Sequence, residues 1–309
     1  MADIIFHHYP QSPVSEKARV GFGIKGLAWK SVEIPRIPPK PDLMPLTGGY
    51  RRTPVMQIGA DIYCDTQCIL RELERRFPEP TFYPNHSEGL VWGLSRWTDA
   101  VVFGDVVGAV LGSAVDQLPP EFASDRGRLY FGPDWDLNEV GADLPHILAQ
   151  LRPQFGWMDQ ALASGRNFLT GDQPGLADAL GYYLVWFSRG RWSGGPGLLA
   201  EFPALEAWEA RIKAIGHGEV TDMQSSEAID IAKAAEPATP ERADAGDPQN
   251  LVPGMTVSVV PDTDGGDPSV TGVVRSVEPE TIAILRNEPR VGRVCVHFPR
   301  VGYRVTVVK

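Results

Sequence analysis

A short apolar strand that runs into a helix through a Pro-Gln-Ser-Pro break constrains this chain more than any other feature. Ile4-Ile5-Phe6-His7-His8-Tyr9 comes first, and after Pro10-Gln11-Ser12-Pro13 the apolar residues return at helical spacing, as Val14, Ala18 and Phe22. Glu16, Lys17 and Arg19 fall on the opposite side, and Gly26 stands where a left-handed cap would end the helix. Ser12 is therefore expected at a helix N-terminus. Free N–H groups and the positive end of the helix dipole point there and favour a sulfur or oxygen anion. A plain N-cap is the simpler use of the same residue.

A second stretch has the same economy. Arg52-Thr53-Pro54-Val55-Met56-Gln57-Ile58, a Gly59-Ala60 turn and Asp61-Ile62-Tyr63-Cys64 read as a hairpin. Asp65 or Thr66 then caps a helix running to Phe77, where Pro78 stops it. The first 78 residues thus read strand, helix, strand, irregular link, hairpin, helix.

These motifs, Ser12-Pro13-Val14-Ser15-Glu16-Lys17-Ala18-Arg19, Thr53-Pro54-Val55 and Asp65-Thr66, resemble the glutathione-binding domain of cytosolic glutathione transferases. The resemblance implies an α/β thioredoxin-like domain followed by an all-α bundle. It places Ser12 at the family's catalytic Ser or Cys and Pro54 at its cis-proline. Asp65-Thr66 falls at the acidic–Ser pair that holds the γ-glutamyl end of glutathione. It also implies glutathione as co-substrate without a metal, a small electrophilic or hydrophobic second substrate, and a homodimer.

With 309 residues the chain has room for two or three domains, and its 43% hydrophobic and 22% charged content is ordinary for a globular protein. A net charge of −10 argues against nucleic acid or an anionic membrane as the main partner. Cys64, Cys68 and Cys295 are too few for a disulfide framework, and the first two lack metal-ligand spacing. The start of the chain goes directly into a strand, and the longest apolar run, Ala100 to Val115, is interrupted by Asp105. A cytoplasmic protein without a membrane span is the expectation.

Past Trp29 to Ile34, a second strand, Pro35, Pro38, Pro39 and Pro41 impose an extended loop, with Lys40, Arg51 and Arg52 placed to reach a ligand carboxylate. Everything from about Ser87 to Gly216 reads helical. The segments are Leu90–Val115, Leu137–Gly165 interrupted by Pro145 and Pro153, Leu176–Arg189 and Ala204–Ile215. Gly175 stands where the family puts a capping Ser or Thr, whereas Asp178 is present to bond the free N–H groups. Residues 225–235 can add a helix, and 236–248 form a polar, Pro-rich linker. Beyond it the period changes to two, and five short strands suggest a small SH3-like all-β domain, a barrel or an open sheet, that the resemblance does not cover. The expected domains are therefore 1–78, 87–235 and 250–309. Arg290, Arg293, Arg300 and Arg304, interleaved with Phe298 and Tyr303, make its end locally basic, as a solvated face or a docking surface.

Glutathione chemistry needs a thiol, of pKa about 8.5 when free, made nucleophilic near neutral pH. A hydroxyl donated by Ser12 would stabilise the thiolate, and Ser15, where a redox protein keeps its second Cys, closes the disulfide route. His8 or Tyr9 on the first strand is the competing donor. Pro54, Val55 and Arg52 join Asp65 and Thr66 as the expected glutathione-binding set. A non-catalytic binding protein on the same fold is the alternative reading.

Overall fold

The chain's structure, a computed structural model, describes residues 3–308 and divides into two compact units. One unit takes the segments ending at Ser15, from Ala28 to Leu73, and from Glu219 onward. The other takes Glu16–Leu27 and Glu74–Gly218.

The first unit is built on β1 (Ile5–His8), which has no exposed face. A strand buried on both sides belongs in the middle of a sheet, and β1 has neighbours on both edges. Helix α1 (Pro13–Ile24) provides the crossover that a parallel partner requires. The partner is β2 (Ala28–Glu33), with Ile5 opposite Lys30. Gly26, at φ 62°, ends α1 in the left-handed conformation, and the Leu27 N–H bonds to the Phe22 carbonyl. After the short α2 (Leu43–Thr47), β3 (Val55–Ile58) pairs antiparallel with β1 and turns at Gly59, φ 60°, into β4 (Asp61–Cys64). Helix α3 (Thr66–Arg76) follows, as the sequence predicts. The thioredoxin-like expectation holds.

The helical unit contains α4 (Glu88–Arg96), a π-helical turn over Trp97–Val102, α5 (Phe103–Gly112), α6 (Pro120–Phe131) and α7 (Leu137–Ala142). It continues with α8 (Leu144–Ala163), α9 (Leu176–Arg191), α10 (Gly195–Leu199) and α11 (Pro203–Ile215). The long run over Leu90–Val115 is thus two helices joined by a wide turn. Its two acidic residues have partners: Asp99 accepts from Lys17, Tyr183 and Ser95, and Asp105 accepts from Gln154. Pro145 lies in the first turn of α8, where its missing N–H costs nothing, and Pro153 lies within a helix that nevertheless continues. Asp178 does the capping work at α9. Its carboxylate accepts the N–H groups of Gly175 (2.9 Å) and Leu169 (2.9 Å) and the indole N–H of buried Trp208 (2.8 Å). Among the described residues no helix is long and apolar enough to cross a membrane.

The chain then returns to the first unit through β5 (Glu219–Asp222), which pairs parallel with β2, and α12 (Ser225–Ala234). Strand β5 escapes a sequence reading because all four of its residues are exposed and it carries no alternation to detect. The five strands expected near the C-terminal end all form: β6 (Thr256–Pro261), β7 (Val270–Val277), β8 (Thr281–Glu288), β9 (Gly292–Pro299) and β10 (Tyr303–Val307). They extend the first sheet. Strand β9 lies parallel to β4, with Asp61 opposite Cys295, giving ten strands in the order β10-β6-β7-β8-β9-β4-β3-β1-β2-β5. Side chains from the early strands (Ile5, Val55, Ile62) and the late ones (Val257, Ile284, Val296, Phe298) share one buried cluster with Leu43 and Ile229.

Candidate functional site

Strand direction decides where the candidate residues meet. The end of β1 lies opposite the start of β3, as His7 faces Val55, and that start lies opposite the end of β4, as Val55 faces Cys64. Ser12 follows β1, the Thr53–Pro54 bond precedes β3, and Asp65-Thr66 follows β4. All three therefore converge on one end of the sheet. The parallel strand β2 ends there too and feeds the loop that holds Lys40, and parallel β9 delivers residues 300–303 to the same end. Ligands of open α/β sheets bind outside such strand ends.

At that end Ser12 is buried, at 2% exposure, and its Oγ accepts the Ser15 N–H at 3.1 Å, so it does cap α1. A serine hydroxyl has two lone pairs and one hydrogen, so capping and donation to a sulfur are compatible. The peptide bond between Thr53 and Pro54 is cis, as the motif requires. Lys40, buried, is held beside it by bonds to the Arg51 carbonyl (2.8 Å) and the Thr53 hydroxyl (2.7 Å).

Asp65 is the strained residue of the site. Its φ of 72° is a left-handed conformation that costs a non-glycine residue about 1–3 kcal/mol and that persists only where the surroundings enforce it. One carboxylate oxygen caps α3 through the Gln67 N–H at 2.9 Å. The other accepts the Tyr303 hydroxyl at 3.0 Å, and Tyr303 is in turn 3.1 Å from the hydroxyl of Tyr50. Burial, followed by the Asp65 charge, pushes both phenols well above their usual range, so both stay protonated and can donate. Thr66, buried, opens α3.

Arg52 has an internal partner. Its guanidinium makes a forked pair with Asp267 (3.0 Å at Nε, 2.5 Å at Nη2) and reaches the Thr263 hydroxyl at 2.6 Å. Sequence reasoning missed Tyr50, Tyr303 and Asp267 as neighbours of the site. Tyr303 and Asp267 are separated from it by some two hundred positions, and no local pattern signals such a contact.

The competing donors have other work. His8 Nε2 lies 3.1 Å from the Ser31 hydroxyl, and its ring packs edge-on against Trp29. Tyr9 is buried in the core cluster. His7 bonds Gln57 at 2.9 Å, and burial lowers its pKa to about 4 despite that bond. Cys64 and Cys68 are free, and burial pushes both thiols well above their usual range, which keeps them unreactive. The C-terminal arginines each meet a carboxylate: Arg290 with Asp42, Arg293 with Glu236, Arg300 with Asp247 and Arg304 with Asp262.

One group of metal-ligand type occurs among the described residues. Asp61, Cys295 and His297 hold their donor atoms within 4.8 Å of one another. Both Asp61 oxygens are already engaged, by the Ala238 N–H (2.7 Å), the Thr239 hydroxyl (2.5 Å) and His297 (3.1 Å). Burial opposes charge on His297, yet its bonds to Asp61 and Cys295 prevail and raise its pKa to about 9. The group is a carboxylate–imidazolium clasp between β4 and β9.

Comparison with known proteins agrees with this geometry. Residues 6–81 match the family described as glutathione S-transferase, N-terminal domain, and residues 122–211 match glutathione S-transferase, C-terminal domain. A GST-like protein from Pseudomonas syringae has a similar structure, at 35% identity and TM-score 0.84, over 99% of this chain and 100% of that one. FzlA from C. crescentus is similar at 21% identity and TM-score 0.51, over 69% of this chain and 88% of its own. A glutathione S-transferase from Rhodospirillum rubrum F11 is similar at 18% identity and TM-score 0.52, over 68% and 88%. The last two show the fold alone. No curated protein sequence matches the chain.

Proposed function

Because this chain belongs to the glutathione S-transferase family, we propose that it binds glutathione and uses the thiolate on a small electrophile. Conjugation, isomerisation and dehalogenation are all open to such a site. The observation that carries the reading is the convergence of Ser12, the cis Thr53–Pro54 bond and Asp65-Thr66 on one end of the sheet.

In this reading Ser12 donates its hydroxyl hydrogen to the glutathione sulfur, aided by the N-terminus of α1, and lowers the thiol's pKa. The thiol proton leaves to solvent. In conjugation to a haloarene the thiolate then forms the carbon–sulfur bond, and halide departs with the bonding pair. The Val55 backbone pairs with the glutathione peptide as an added strand would. Asp65 and the first N–H groups of α3 receive the ammonium and carboxylate of the γ-glutamyl end. Arg52 is assigned to the Asp267 pair that anchors the loop between β6 and β7, and ligand contact falls to its neighbours. Ser12 is preferred to His8 and Tyr9 because both of those are committed elsewhere. The proposed assembly is a homodimer and the proposed location cytoplasmic.

The test combines calorimetry with glutathione and turnover of chlorodinitrobenzene. Ser12→Ala removes a hydrogen bond to a charged group, worth about 1.5–3 kcal/mol, so turnover should fall about ten- to a hundredfold and its pH profile should move up, with affinity nearly intact. Thr66→Ala should do the reverse and weaken binding. A dissociation constant far above millimolar would favour the non-catalytic alternative. An unchanged profile in Ser12→Ala would pass the donor role to His8 or Tyr9.

A further inference from the structure

The strands beyond the two-domain family pattern reach the proposed glutathione site itself. Strand β9 runs parallel to β4, so the chain leaving it arrives at the same sheet end as Asp65, and β10 begins there with Tyr303. Its hydroxyl lies 3.0 Å from Asp65 Oδ2, while its ring packs on Phe298 at 5.9 Å and beside Tyr50 at 6.4 Å. Asp65 sits in a left-handed backbone conformation that needs outside enforcement. Its own cap bond to Gln67 supplies one restraint, and Tyr303 supplies the other.

We infer that Tyr303 of the appended β region is a positioning residue for the γ-glutamyl subsite, fixing the Asp65 carboxylate so that it can receive the ammonium group of glutathione. This rests on the glutathione reading above. An ionised carboxylate has about four acceptor positions. Gln67 and Tyr303 occupy two, and two remain for a ligand ammonium at a carboxylate that no longer has to be ordered on binding. Because Tyr303 is itself oriented by Tyr50, the restraint is a relay, Tyr50 to Tyr303 to Asp65. Its outer members cost the ligand nothing.

Tyr303→Phe keeps the packed ring and removes only the hydroxyl. With the full-length protein, KM and the dissociation constant for glutathione should rise about three- to tenfold. The maximal rate and its pH profile should stay within twofold. Tyr50→Phe loosens the orientation of Tyr303 but leaves its bond to Asp65 in place, so it should raise KM by a smaller factor than Tyr303→Phe. Combined with Asp65→Asn, Tyr303→Phe should add no further loss. The ratio between wild type and Tyr303→Phe should fall to one for a glutathione analogue lacking the γ-glutamyl ammonium. Equal or tighter glutathione binding by Tyr303→Phe overturns the inference, as does an additive double variant. A wild-type protein that does not bind glutathione at all overturns the underlying reading instead, so the two failures are distinguishable.

Discussion

Raising the pH from 6.5 to about 8.5 should weaken the native state through one residue, His297. Its imidazole is clasped to Asp61 at 3.1 Å, and its pKa is raised from 6.5 to about 9. A group with a raised native pKa contributes stability that is complete below its unfolded value and disappears as the pH climbs through the native one. With those two values the loss between pH 6.5 and about 8.5 is roughly 2 kcal/mol, out of a full contribution of about 3 kcal/mol. The buried thiols of Cys64 and Cys68 do not confuse the measurement. Their native values are raised too, but the stability they contribute begins to fall only near the unfolded thiol value of 9.0. The assay is the urea midpoint of wild type and His297→Gln at several pH values across that range. Glutamine can still donate to Asp61 and does not titrate. The variant should be weaker at pH 6.5 and nearly flat above it. Parallel pH slopes in the two proteins would refute the reasoning.

On the acid side His7 should act in the opposite sense. Its native pKa is lowered to about 4, so the stability it contributes is present above 6.5 and is lost as the pH falls through 4. Between pH 6.5 and about 5 this is roughly 1.5 kcal/mol, and His7→Asn should remove that part of the slope in the same urea assay. Asp178→Ala should be severe, because it orphans three donors, the N–H groups of Leu169 and Gly175 and the Trp208 indole. A loss of roughly 3–5 kcal/mol is expected from unfolding curves, and one under about 1 kcal/mol would show that water replaces the carboxylate.

What was legible in the sequence follows a physical line. Motifs whose meaning lies within a few residues could be read directly. Ser12 before a helix, the Thr53–Pro54 bond and the Asp65 cap each encode a local backbone geometry, and the structure shows all three geometries. The alternation in the last sixty residues likewise predicts five strands, and five form. What those strands attach to was not legible. Nothing within β9 states that Cys295 will face Asp61, because hydrogen-bond pairing of backbones is blind to side-chain identity. The same limit hid the Arg52–Asp267 pair, so Arg52 looked like a cation waiting for a ligand. Asp178 shows the converse: its capping role was legible, and its bond to Trp208 was not.

The pairing of β4 with β9 also has a consequence in time. During synthesis the hairpin of β3 and β4 emerges early, yet the strand that covers its outer edge begins to meet it only at Cys295, 234 residues after Asp61. At about 5–20 residues per second the ribosome leaves that edge open for roughly 10–50 s. An uncovered strand edge is a template for any other extended chain nearby. The newborn protein therefore spends most of its synthesis with a vulnerable seam, and a chain released before β9 keeps that seam permanently.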